Sequence, residues 1–174
     1  GGVAGLSAGG YGALNFALER PELFAAVAAL SPASYVPLPP RNSSAWRHPS
    51  FRNEQGQFDR ELWESLNYTE HLEEYRLQVT PRGTEEEGDL SPVPLYISAG
   101  RSDVYDAEFH ARILRQAMER IQPNDVRLDL YPGGHTWHVW RASLPAALNF
   151  LFQYVGQENS PVVETNRAED EQHT

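Results

Sequence analysis

Gly5-Leu6-Ser7-Ala8-Gly9 constrains the fold of this chain more than any other stretch, because a serine with glycine two residues to either side marks a strand that reverses sharply into a helix. A Cβ at either glycine position collides as the chain turns, and glycine tolerates the strained dihedrals nearby. The flanks agree with that geometry. Gly2-Val3-Ala4 reads as the end of a buried strand, while Leu14, Ala17 and Leu18 recur at helical spacing until Pro21 stops the run. A serine hydroxyl is a poor nucleophile at neutral pH, so a serine presented on such a turn needs a base and hydrogen-bond donors for a developing oxyanion. Ser7 is therefore the candidate nucleophile. The backbone N–H of Ala8, at the positive end of the helix that follows, is the candidate donor.

This chemistry calls for an acid and then a histidine, each on a loop after a later strand. The apolar run Pro94-Leu95-Tyr96-Ile97-Ser98-Ala99 ends at Gly100, and Asp103 follows in Gly100-Arg101-Ser102-Asp103, which makes it the candidate acid. A helix is predicted over 107–122, with Phe109, Ile113, Leu114, Ala117, Met118 and Ile121 as its apolar stripe. Val126, Leu128 and Leu130 then alternate with Arg127 and Asp129, the period of a half-exposed strand running into Tyr131-Pro132-Gly133-Gly134-His135. His135 is the candidate base. His138 competes with it, but His135 sits directly after the glycine turn that can deliver it to Ser7, and a His-x-x-His metal motif lacks the glutamate and the helix it requires. Asp106 competes with Asp103 and reads better as the cap of the following helix, and Asp129 falls on the solvent face of its strand.

The residues around these three candidates resemble the esterase D, antigen 85 and enterobactin-esterase group of α/β-hydrolases. The likeness rests on Gly5 to Leu14 as nucleophile segment, Gly100-Arg101-Ser102-Asp103 as acid loop and Gly134-His135-Thr136-Trp137-His138-Val139-Trp140-Arg141 as histidine loop. It implies an α/β fold, a mostly parallel sheet flanked by helices, and an acyl-enzyme mechanism on carboxylic esters with Ser7, Asp103 and His135 as the triad. Ala8 stands where members of the group often carry methionine, a change that leaves its N–H available. Trp137, beside the base, is a candidate to stack on an aromatic or acyl group of the substrate. An acyltransferase of the antigen 85 type is the alternative activity, and a noncatalytic binding module on a hydrolase scaffold is the alternative role. The group's fold places several strands before the nucleophile, so the chain reads as the C-terminal part of a longer protein or as a truncation. On that reading the nucleophile strand has an unpaired edge open to self-association, and the second oxyanion donor, from a loop after an earlier strand, is missing.

The same reading divides the chain into a partial hydrolase domain over 1–156, interrupted by a cap-like insertion over 34–92, and a disordered acidic tail over 157–174. Within the insertion, short helices are predicted over 58–66 and 68–77. Trp46, Trp63 and Tyr68 are candidate pocket walls and equally candidate members of the insertion's own core. Thr84-Glu85-Glu86-Glu87-Gly88-Asp89 reads as a solvated turn instead of a metal site. A last helix carries Leu144, Leu148, Leu151, Phe152 and Val155 at burial spacing, with Pro145 leaving its start open.

Composition then removes whole mechanisms. The chain has no cysteine and no lysine, which excludes a thiol nucleophile, a disulfide, a thiolate metal site, a Schiff base and a Ser-Lys dyad. A net charge of −10 argues against a nucleic-acid partner, since no basic stripe is present to neutralise phosphates. No apolar stretch approaches the roughly 18 to 20 residues of a membrane span. The expected partner is a small-molecule ester, with no cofactor and no metal.

Overall fold

The computed structural model describes residues 1–83 and 90–155 and the backbone of 162–164. The acidic turn at Thr84 to Asp89 lies outside the described residues, as does the rest of the tail expected to be disordered. Strands β1 (Gly2–Leu6), β2 (Ala26–Leu30) and β3 (Leu95–Gly100) are buried at every position. Continuous small and apolar runs such as Ala26-Val27-Ala28-Ala29-Leu30 form strands of this kind because both faces of a parallel sheet are covered by helices. With β4 (Val126–Tyr131) and β5 (Val162–Glu164) they make a sheet in the order β4-β3-β2-β1-β5, parallel throughout.

Alternate residues along each strand serve opposite faces. Val3, Val27, Leu95 and Ile97 pack with Leu14 and Leu18 of α1 (Ser7–Glu19) and with Leu114 and Met118 of α4 (Ala107–Glu119). Ala4, Leu6, Ala28, Leu30 and Tyr96 pack instead with Trp140, Phe150 and Leu151 of α5 (Trp137–Tyr154). The insertion contributes α2 (Arg60–Ser65) and α3 (Leu72–Gln78), close to the predicted helices. The other described residues of the insertion are mostly irregular chain with single helical turns.

Three expectations need correcting. The outer edge of β1 is paired: Val3, Ala4 and Gly5 align with Val162, Val163 and Glu164, so the edge on which self-association was expected carries a short strand from the tail. Three residues in a polar stretch are too short a pattern to announce a strand. In α4 the buried stripe is Ala107, His110, Ala111, Leu114 and Met118, whereas Phe109 is 59% exposed, because small alanines let the helix lie close on the sheet. Helix α5 starts at Trp137 and runs through Pro145, so its buried stripe is Val139, Trp140, Ser143, Ala147, Phe150 and Leu151, and Phe152 faces outward.

Candidate active site

Ser7 is both the residue after β1 and the first residue of α1, and it takes a positive φ of 50°. For a non-glycine residue that conformation is strained and persists only where the surroundings enforce it. Here the enforcement is backbone contact. A Cβ on Gly5 falls 2.6 Å from the Gly9 carbonyl and the Gly10 nitrogen, and one on Gly10 falls 2.7 Å from the Gly5 oxygen. Gly5 and Gly10 thus let the helix begin directly against the strand it follows. The Ala8 N–H lies in the first turn of α1, among the backbone donors a helix leaves without an intrahelical acceptor.

The acid and histidine loops are joined in the same way. A Cβ on Gly100 strikes the Gly133 carbonyl, the Ser102 N–H donates to that carbonyl at 2.9 Å, and Gly133 itself needs a φ of 123°. Only glycine meets these demands without strain. The result is a chain of contacts between side chains 32 and 128 residues apart in sequence: His135 Nδ1 lies 2.7 Å from Asp103 Oδ2, and His135 Nε2 lies 2.9 Å from Ser7 Oγ. Ser7, His135 and Asp103 are 0%, 1% and 8% exposed. The second carboxylate oxygen of Asp103 accepts the Tyr105 N–H at 2.8 Å, which fixes the acid's orientation.

Two rings that the motifs do not single out flank the imidazole. Tyr105 stands edge-on to His135 with ring centroids 4.9 Å apart, and Trp140 does so at 5.1 Å. Tyr105 comes two residues after the acid and Trp140 five after the histidine, so proximity in sequence was the available signal. Trp137, the candidate substrate contact, is 44% exposed at the start of α5 and stands edge-on to Trp140 at 5.3 Å. The competing residues lie elsewhere. His138 is exposed, and Asp129 accepts from the Tyr96 hydroxyl at 2.8 Å and from Arg127. Asp106 holds the N-cap position of α4 at a φ of 55°, but its side chain makes no capping bond, which corrects the role expected for it.

Side-chain hydrogen bonds tie the insertion to α1 and brace it internally. The Tyr11 hydroxyl accepts the Tyr68 N–H at 3.0 Å, and burial pushes the Tyr11 phenol up to about 12. The Asn67 amide donates to the Tyr35 carbonyl at 3.0 Å, and the Trp63 indole donates to the Pro37 carbonyl at 2.9 Å. Trp63 and Tyr68 are buried, while Trp46 stacks obliquely on Phe58 at 4.3 Å. Among the described residues no group of three or more His, Asp or Glu side chains could hold a metal ion, and no helix is long and apolar enough to cross a membrane.

A family model described as "Putative esterase" matches residues 1–151. Among solved structures, a ferulic acid esterase superposes with a TM-score of 0.60 at 22% identity, covering 88% of this chain and 52% of its own. An S-formylglutathione hydrolase from Staphylococcus aureus gives 0.57 at 20% identity, covering 86% of this chain and 50% of its own. The enterobactin esterase of Shigella flexneri gives 0.53 at 22%, covering 87% and 31%. Similarity at this level establishes the α/β-hydrolase-like fold, and the chain spans about half the length of the first two. No curated relative matches the chain.

Proposed function

This chain belongs to the esterase family, and from that premise we propose that it provides the catalytic machinery of a serine carboxylic-ester hydrolase, with Ser7 as nucleophile, His135 as base and Asp103 as orienting acid. The observation that carries the proposal is the buried, unbroken path from Asp103 Oδ2 through both ring nitrogens of His135 to Ser7 Oγ. With Asp103 ionised, the imidazole keeps its proton on Nδ1 and leaves Nε2 to accept the serine proton.

The reaction proceeds in two steps. As Ser7 Oγ attacks the ester carbonyl, its proton passes to His135 Nε2, and Asp103 stabilises the imidazolium across the 2.7 Å contact. The Ala8 N–H donates to the oxyanion, aided by the positive end of α1. Collapse of the tetrahedral intermediate gives the alcohol, which takes the proton from Nε2, and leaves an acyl ester on Ser7. Water, deprotonated by the same nitrogen, then releases the acid and restores the serine.

Hydrolysis of a small activated ester tests this directly. Ser7→Ala and His135→Ala are expected to lower turnover by about four orders of magnitude or more, and Asp103→Asn by about four through the wrong imidazole tautomer. Retention of most of the turnover in Ser7→Ala rules the proposal out.

A further inference from the structure

Between α1 and the insertion lies a cavity of about 550 Å³ that reaches Ala8, the residue after Ser7. Tyr11 and Gly12 line it from α1, Ala33 from the exit of β2, and Phe51 and Trp63 from the insertion. Ala33 is a second neighbour of the nucleophile, since its N–H donates to the Ser7 carbonyl at 3.2 Å. Among the described residues that line the cavity there is no Asp, Glu, Lys or Arg. His48 adds an imidazole whose Nδ1 already accepts the Ser50 N–H at 3.1 Å, and Tyr11 is a neutral phenol below a pH of about 12. A charged ligand group would be desolvated there without a counter-ion. Fixed charges gather instead in a separate cleft of about 270 Å³ beside Asp103, lined by Arg101, Asp106, Glu108 and Arg112.

Resting on Ser7 as the acylated residue, we infer that the cavity receives the uncharged, apolar arm of the ester, an alkyl chain of medium length or a single ring. Its volume lies in the range of small-molecule sites that are lined by apolar and aromatic side chains. Phe51 and Trp63, with ring centroids 4.7 Å apart, form an aromatic wall that sets how large that arm can be. The Trp63 indole is pinned to the Pro37 carbonyl at 2.9 Å, so the wall is held in place. A substrate whose larger arm is anionic, such as a peptide thioester with free carboxylates, does not fit this volume.

The test is the rate at which Ser7 in the full chain is phosphonylated by alkyl fluorophosphonates. Each reaction forms a P–O bond from Oγ to phosphorus and expels fluoride, the serine proton passing to His135. Ethyl, octyl and carboxylate-ended octyl probes are compared, with the chain carried on phosphorus in one series and on the alkoxy oxygen in the other. The octyl probe is expected to react about tenfold faster than ethyl or more in one of the two series, which also identifies the acyl or alcohol side, and the carboxylate-ended probe gains nothing. Gly12→Leu supplies the control, because a Cβ there meets no atom within 4 Å and the added side chain enters open space. It is expected to collapse the octyl-to-ethyl ratio towards one, while Phe51→Leu moves the preference to longer chains. Equal ethyl and octyl rates in both series, a carboxylate-ended probe as fast as octyl, or an undiminished ratio in a folded Gly12→Leu protein overturns the inference while Ser7 still labels. Absence of labelling by every probe overturns the esterase proposal and this inference with it.

Discussion

The sheet rim that carries Ser7, Asp103 and His135 and the insertion beside it are held together by different means. At the rim, backbone meets backbone: Gly5 against Gly9 and Gly10, and Gly100 against Gly133, at separations no Cβ can occupy. In the insertion, side chains do the holding, through an aromatic cluster of Trp46, Phe51, Phe58 and Trp63 and through indole and amide donors that satisfy carbonyls of irregular chain. The first arrangement leaves no room for a Cβ, so a larger residue at these glycines must push backbone aside. The second fills volume and can change its contents, which suits a surface that selects among substrates over one that performs a fixed reaction.

The contrast is broken most severely at Ser7. Ser7→Ala is expected to remove about 5 kcal/mol or more of transition-state stabilisation, read as kcat/KM on a small ester, while thermal unfolding changes by only about 1 kcal/mol, the worth of one buried hydrogen bond. Trp63→Ala reverses the pattern at the other region. Removing a fully buried indole that also satisfies the Pro37 carbonyl is expected to cost about 3 to 5 kcal/mol in urea unfolding.

Glycine substitutions at the end of β1 and within α1 sharpen the comparison across the turn that carries Ser7. Gly5→Ala or Gly10→Ala forces backbone apart and is expected to destabilise by about 1 to 3 kcal/mol, with loss of turnover as the elbow shifts. Gly12→Ala, where a Cβ meets no atom within 4 Å, is expected to stabilise by about 0.5 to 1 kcal/mol. Equal effects at Gly5 and Gly12 in denaturant titrations contradict the account of the rim.

The smallest expected effect is pH-dependent. His110 of α4 joins the two regions, because its Nδ1 accepts the Val36 N–H at 3.3 Å, and burial holds its pKa below the ordinary 6.5 against the opposing pull of Asp106 and Asp103. In the window between its folded pKa and 6.5, the unfolded chain binds the proton and the folded chain does not. Stability attached to neutral His110 is therefore present above 6.5 and is lost as pH falls below it. His110→Gln is expected to flatten that part of the stability profile, and an unchanged slope there removes His110 from the account.

How much of this was readable beforehand follows from the same contrast. Ser7, Asp103 and His135 stand out in the sequence because the turns that carry them need glycine at fixed offsets, and those glycines leave a local pattern. Parallel strands β1 and β3 are legible for a related reason, since burial on both faces writes a continuous apolar run. The insertion's wiring is not legible, because Trp63 meets Pro37 and Tyr68 meets Tyr11 across 26 and 57 residues, and nothing local announces a partner. The same holds for Val162–Glu164 beside β1 and for Tyr105 and Trp140 around the imidazole, whose neighbours are set by how the loops fold back. The exposed Phe109 shows the converse error, a helical period read correctly as amphipathic but rotated by the choice of which small residues face the sheet.

Rapid quenching during turnover of a slowly deacylating ester, followed by peptide mapping by mass spectrometry, tests the account most directly. The mass of one acyl group on the peptide containing Ser7, formed before product accumulates and absent from Ser7→Ala, is the predicted result. Steady turnover with no adduct at Ser7, or with the acyl group on another side chain, contradicts it.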